Sequence, residues 1–370
     1  MVILKSSVSN FINLDDKTYS YFGGNNYLGL ANHPTVIQEA IQATRKYGVN
    51  FSASRQTTGT SELHLELEQL LSEFNQKEAS VVFASGYMGN RILLHALRNR
   101  YSAIFYDELS HPSIIDGFPA DMTSLFKYKH CDADHLEILL KEHNNFQPLI
   151  ITDGIFPLTG EIAPLDKIQL LAEKYNATII VDEAHSIGVL GLNGRGTPEY
   201  FQLLQKTEIF QSGTMSKALG VYGGFISDGS DLIDTIRKKS SLYIASTALP
   251  PPIVSAGCAA VRILQQQPQL RLQLIKNAGI IKNGIKEMDY MTTSDPTQII
   301  PLFFSHERNA VELSAFLKEN NIIVPYVKYP LKMDKFIVRI TASAIHTADQ
   351  IGELLAVLKK WRDKHGIDKD

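Results

Sequence analysis

Lys217 stands in SGTMSKALG, residues 212–220, among small and hydroxyl-bearing side chains. A lysine amine is protonated and inert near neutral pH, and it attacks an aldehyde only when transiently neutral. Thr214 and Ser216 beside it offer hydroxyls to a phosphate or to the amine itself. An exposed loop would accommodate the same lysine, so the reading depends on its companions. In TIIVDEAHSIGVLG an apolar run ends at Asp182, with His185 three positions later. Such an acid either caps the next turn or faces a heterocyclic nitrogen and keeps it protonated, which makes the ring an electron sink. In the second case His185 is placed to hydrogen-bond a ring hydroxyl. His111, in YDELSHPSIIDG, follows another apolar run and precedes Pro112. It serves either a helix start or a planar ring stacked on its imidazole. FASGYMGN closes a fourth run at Ser85 and Gly86, and a helical pattern begins at once. Backbone N–H groups at such a start, with a glycine allowing close approach, bind phosphate. The segment has neither the lysine of a P-loop nor G-x-G-x-x-G, which argues against nucleotide and dinucleotide folds. A phosphate cradle, a stacking imidazole, an acid for a pyridinium and an amine for an aldehyde are the parts that pyridoxal phosphate (PLP) requires.

These residues need elements that end together. From about residue 80 to 230, short apolar runs alternate with amphipathic stretches, as strands and helices do in a mostly parallel sheet. The strand candidates are SVVFAS, SAIFYD, PLIITDGIF, ATIIVDEAH, IFQSG and GGFIS. In APLDKIQLLAEKYN, Leu165, Ile168, Leu171 and Ala172 repeat at helical spacing, and Pro164 suits the first turn. Ligands of an open α/β sheet sit beyond the C-terminal strand ends, where all four motifs fall. After LPPP the texture changes to a long helical stretch, then QIIPLFFS, a helix, NIIVPY, KFIVRITAS and a closing helix from about Thr347. The expected organisation is an N-terminal arm over 1–33, a large α/β domain over 34–270 and a smaller α+β domain over 271–370.

Composition bounds the rest. The 370 residues suffice for two domains, and a net charge of −3 supplies no basic field for nucleic acid. The two cysteines, Cys131 and Cys258, lie far apart without metal-ligand spacing, so no metal site is expected and a reducing cytoplasm is. No leader-like segment or membrane-spanning run stands out.

The motifs NNYLGLANHP, SASRQTTGTSELHLELE, SGYMGN, DELSHPSIIDG, GEIAPL, VDEAHSIGVLGLNGRG, GTMSKALG and RITASAIHTADQI occur in this order along nearly the whole chain. The sequence thereby resembles the alpha-oxoamine synthases, fold-type I PLP enzymes. The resemblance implies that Lys217 is the Schiff-base lysine and shuttles the α proton. Asp182 would pair with the pyridine nitrogen, His185 contact the phenolic oxygen and His111 stack on the ring. Gly86, Tyr87 through its backbone N–H and Thr214 would hold the phosphate, with Ser85 and Ser216 also in the cofactor site. Ser246 and Thr247 would reach the phosphate of a neighbouring subunit in a homodimer with shared sites. Arg339, a charge inside FIVRITAS, would clamp the amino-acid carboxylate, with Asn25 and Tyr27 near the substrate; its other reading is a partner for a buried acid. The implied reaction condenses an amino acid of the glycine, alanine or serine class with an acyl-CoA to give an aminoketone.

Two features depart from the family pattern. DGIFPLTGE has Pro157 where a serine is usual, which removes a hydroxyl and a backbone donor. Only 24 residues precede NNYLG, so the family's additional N-terminal helix is expected to be missing or reduced. Both leave open an aminotransferase or a lyase of β-hydroxy amino acids on the same fold.

Overall fold

The computed structural model describes residues 3–14, 16–328 and 334–366. Two compact units emerge, one of Pro34–Phe156 and Ile162–Gln267, the other of Met1–His33, Pro157–Glu161 and Pro268–Asp370.

The first unit is built on a seven-stranded sheet. Its spatial order is Ala79–Phe83, Gly224–Asp228, Ile209–Thr214, Thr178–Asp182, Pro148–Asp153, Ala103–Asp107 and Leu125–Tyr128. All neighbours are parallel except at Gly224–Asp228, which runs against both of its partners. The strands are near-continuous apolar runs because both faces are covered. Ile104, Leu149, Ile151 and Ile180 pack on one side with Ile92, Leu93 and Ile233. Ala103, Phe105, Ile150, Ile179 and Val181 pack on the other with Leu136, Leu140, Leu165 and Ile168. Parallel strands of this kind deliver Asp107, Asp153, Asp182 and Thr214 to one end of the sheet. Leu125–Tyr128 is a strand without an apolar run in the sequence, because it lies at the edge and alternates exposed Leu125 and Lys127 with half-buried Phe126 and buried Tyr128.

In the second unit, Phe11–Leu14, Lys17–Tyr21 and Ile322–Ile323 form one sheet. The arm joins this unit because Lys17–Tyr21 pairs in parallel with Ile322–Ile323. A second, antiparallel sheet has Phe336–Thr341 between Ile299–Phe304 and Tyr326–Val327. The helices Pro268–Glu287, Glu307–Glu319 and Ala348–His365 complete the unit. Helix ends differ from expectation in two places. Pro164 is the cap before Leu165–Tyr175 rather than part of its first turn. The long helical stretch after LPPP is two helices, Pro251–Gln266 and Pro268–Glu287, because Pro268 has no N–H to continue the first and a fixed φ suited to starting the second. Among the described residues, no helix is long and apolar enough to cross a membrane.

Candidate active site

Lys217 follows the strand Ile209–Thr214 in a turn closed by Gly220 N donating to Lys217 O at 3.0 Å and Met215 N donating to Gly223 O at 2.9 Å. Thr214 Oγ1 donates to Gly223 O at 3.0 Å and accepts from Ser216 N at 3.2 Å, which fixes the hydroxyl at the strand end. Beside it, the chain leaving Ala79–Phe83 makes a single 3-10 turn, Gly86–Met88, and enters the helix Gly89–Ala96. A Cβ on Gly86 would come within 2.6 Å of Thr214 Cβ and Oγ1, so only glycine lets the two loops meet. The two loops that the sequence assigns to a phosphate therefore lie side by side. Tyr87 N donates to Ser85 Oγ at 3.3 Å, a long bond that a phosphate oxygen would displace. The Tyr87 hydroxyl donates to the Asp116 carboxylate, which pushes the phenol up to about 12.

Asp182 ends the neighbouring strand and is buried. Its Oδ2 accepts from Asn90 Nδ2 at 2.6 Å and its Oδ1 from Ala184 N at 3.0 Å. On the next strand, Asp153 stands in register with it. Burial first, and the Asp182 charge second, hold the Asp153 carboxyl well above the usual carboxylate range. Asp153 Oδ2 accepts from His111 N at 3.0 Å and pins the histidine's main chain. Burial pushes the His111 imidazole down; the Asp182 charge opposes this and the Lys217 charge reinforces it. A neutral imidazole results, flanked edge-on by the Tyr87 ring at 6.0 Å. Lys217 thus lies within electrostatic range of both His111 and Asp153.

His185 is buried in the turn after Asp182, and the turn is anchored by Glu183, a residue that the motif reading passed over. Glu183 Oε2 accepts from Thr197 N at 2.8 Å, from Thr197 Oγ1 at 3.2 Å and from the Ser186 hydroxyl, while Oε1 is buried without a hydrogen bond. Burial pushes this carboxyl up to about 7. The signal was present in the E of DEAH. Asn90 and Ser113 were likewise inside quoted motifs and received no role.

Ser246 and Thr247 bond elsewhere: the Ser246 hydroxyl donates to Leu242 O and Thr247 pairs in an isolated bridge with Ser54. Asp107, His130 and Cys131 form the one grouping of potential metal ligands among the described residues. Asp107 already accepts from Leu109 N and Cys131 N at 2.8 Å each and faces His130 Nδ1 at 2.9 Å, so the carboxylate is committed to pinning the loop.

In the other unit, the structure brings Arg339, Asn25 and Tyr27 together. Arg339 is buried in Phe336–Thr341, opposite Pro301. Both terminal nitrogens reach Asn25 Oδ1, at 3.3 and 3.4 Å, and Nε has no partner. Tyr27 is fully buried, its hydroxyl 3.3 Å from the same oxygen. Burial raises the Tyr27 phenol, against the charge of Arg339. Among the described residues, the side-chain partner of the Arg339 guanidinium at these distances is the Asn25 amide oxygen and not a carboxylate. Pro157, in the segment Pro157–Glu161 of this unit, is buried; Thr159 O and Gly160 O accept from Thr293 Oγ1 at 2.8 Å and Thr297 Oγ1 at 2.6 Å.

The sheet, the glycine-lined cradle and the residues at the strand ends define a fold-type I, PLP-dependent enzyme, and the donor set fits the cofactor. The chain belongs to the family of class I and II aminotransferases, whose model matches residues 19–358. It is 38% identical over 350 residues to 8-amino-7-oxononanoate synthase of Thermoanaerobacter pseudethanolicus, covering 94% of this chain and 88% of that protein. To the protein of the same name from Thermosipho melanesiensis it is 37% identical over 366 residues, covering 98% and 93%. A high-resolution structure of SPT with PLP as an internal aldimine superposes with a TM-score of 0.91 at 28% identity, covering 98% of this chain and 92% of that one.

Proposed function

We propose that this chain condenses a small amino acid with an acyl-CoA thioester in the manner of an 8-amino-7-oxononanoate synthase, releasing CoA and yielding an aminoketone. The observation that carries the reading is its likeness to synthases of that name over nearly its whole length, joined to a lysine, an acid and an imidazole at adjoining strand ends.

The Ser85–Tyr87 turn with Thr214 and Ser216 would hold the cofactor's phosphate, Asp182 its ring nitrogen, His185 its ring oxygen, His111 one face and Lys217 its aldehyde carbon. When bound, PLP supplies an electron sink for the pair left at the substrate α carbon. Asp182 keeps a positive charge stable at the ring nitrogen, and its bonds from Asn90 and Ala184 hold it in place. Lys217 takes and returns the proton at the α carbon. A neutral His111 adds no positive charge beside Lys217 and offers a flat apolar face. Arg339 supplies two parallel N–H donors to the substrate carboxylate, since Asn25 is a neutral partner that a carboxylate outcompetes. Arrangement as a homodimer, with Ser246 and Thr247 serving the neighbouring site, and a cytoplasmic location belong to the same proposal.

The test is thiol release by the PLP-loaded protein across a panel of amino acids and acyl-CoAs. CoA is expected only when both substrates are present. Conversion of bound cofactor to its pyridoxamine form by an amino donor alone, with no thiol released in any combination, would instead identify an aminotransferase.

A further inference from the structure

Asn90 and Ser113 form a buried polar link between the two groups assigned to opposite tasks at the cofactor, Asp182 and His111. Asn90 has no exposed surface and Ser113 almost none. The two Nδ2 protons of Asn90 go to Asp182 Oδ2 at 2.6 Å and to Ser113 Oγ at 3.0 Å, and its Oδ1 accepts from Ser212 Oγ at 2.7 Å. All three directions of the amide are thus used, and flipping it would set a carbonyl oxygen against the carboxylate. Ser113 N donates to His111 Nδ1 at 3.2 Å, so that nitrogen is the acceptor and the imidazole proton sits on Nε2. The Ser113 hydroxyl lies 2.8 Å from the same Nδ1 and 3.5 Å from Asp182 Oδ2. It has one proton to give, and the nearer neutral nitrogen takes it.

We infer that Asn90 and Ser113 are positioning residues: Asn90 fixes the Asp182 carboxylate from the helix that opens at the phosphate cradle, and Ser113 holds His111 in its Nε2-protonated form. This rests on the placement of PLP argued above. Asn90 is the second residue of Gly89–Ala96, the helix that follows the Gly86–Met88 turn. The helix that opens at the proposed phosphate site therefore carries the amide that orients the ring-nitrogen acid. The Ser113 hydroxyl is the coupling element. If His111 gained a proton at Nδ1, Ser113 would accept from it and turn its own proton to Asp182, weakening the charge offered to the ring. The titratable groups around His111 are Asp182, Lys217 and Asp116, with the Asp153 carboxyl accepting from its main-chain nitrogen.

The test compares Asn90→Ala, Asn90→Asp and Ser113→Ala with wild type, reading PLP affinity of the apoprotein, the pH midpoint of the bound cofactor's visible absorbance, and apoprotein melting temperature. Asn90→Ala should weaken PLP binding by about tenfold or more, as loss of a hydrogen bond to a charged group does. Asn90→Asp should weaken it further, because like charges then face each other. Ser113→Ala should move the pH midpoint by about half a pH unit or more while changing apoprotein melting little, a response that loss of packing alone would not produce. Folded variants with unchanged affinity and midpoint overturn the inference while leaving the cofactor placement intact. If Asn90→Ala does not fold, the Ser113→Ala midpoint decides. Failure of wild type to take up PLP overturns the placement and this inference together.

Discussion

The strand-end cluster around Asp182 and the buried guanidinium of Arg339 are both polar sites inside apolar surroundings, yet they are finished to different degrees. At Asp182, both carboxylate oxygens, the Asn90 amide, the Ser113 hydroxyl and the His111 ring nitrogen all have partners. At Arg339 the guanidinium meets the Asn25 amide oxygen through two long bonds and the Tyr27 hydroxyl, and leaves Nε without a hydrogen bond. Buried polar groups are normally satisfied, and an unpaired buried charge is costly. On the proposed function, the contrast separates a preorganised cofactor region from a clamp that its ligand would complete. Cofactor groups must stay in place through every turnover. A carboxylate clamp must let each product leave.

Breaking the saturated side should have the largest effect. Asp182→Asn keeps the shape but removes the charge opposite the ring nitrogen, and CoA release in saturating substrates should fall by about a hundredfold or more. A kcat within a fewfold of wild type would show that Asp182 is only a turn cap. On the unsaturated side, Arg339→Met should raise KM for the amino acid by about ten- to a hundredfold with a smaller loss in kcat. The same variant sharpens the comparison through its sign: removing a poorly paired buried charge should leave apoprotein melting unchanged or higher, whereas Asn90→Ala should lower it. A large drop in melting temperature for Arg339→Met would mean that the guanidinium is structurally satisfied after all.

Glu183 gives the smallest effect and a pH signature. Its carboxyl is raised from 4.5 to about 7 by burial, so folding favours the protonated form. The associated stability is complete below the ordinary carboxylate value, declines as pH rises and is lost above about 7. Glu183→Gln should flatten stability against pH over that window, by at most about 3 kcal/mol in total, measured by denaturant unfolding at several pH values. Parallel pH profiles for variant and wild type would contradict the assigned burial.

The strand ends were readable because each apolar run stops at or a few residues before a side chain whose chemistry is conspicuous: Asp182, His111, Lys217. The connections among them were not. Asn90 reaches Asp182 across 92 positions and Ser212 across 122, a proximity set by strand order and not by any local pattern. Asparagine and serine also carry no distinctive reactivity, so SGYMGN and HPSIIDG gave no reason to single them out. The edge strand Leu125–Tyr128 escaped notice because half its residues face solvent, and the break at Pro268 because both helices share one apolar periodicity. The arm's place in the second unit depends on a two-residue parallel pairing with Ile322–Ile323, too short to register as a strand pattern.

The claim on which the rest depends is that Lys217 holds the cofactor covalently. Borohydride reduction of the PLP-loaded protein, followed by peptide mass mapping, tests it directly. The account predicts a pyridoxyl-phosphate adduct on the peptide bearing Lys217 and its disappearance in Lys217→Ala. A stoichiometric adduct on a different lysine, or none at all in wild type, would contradict it.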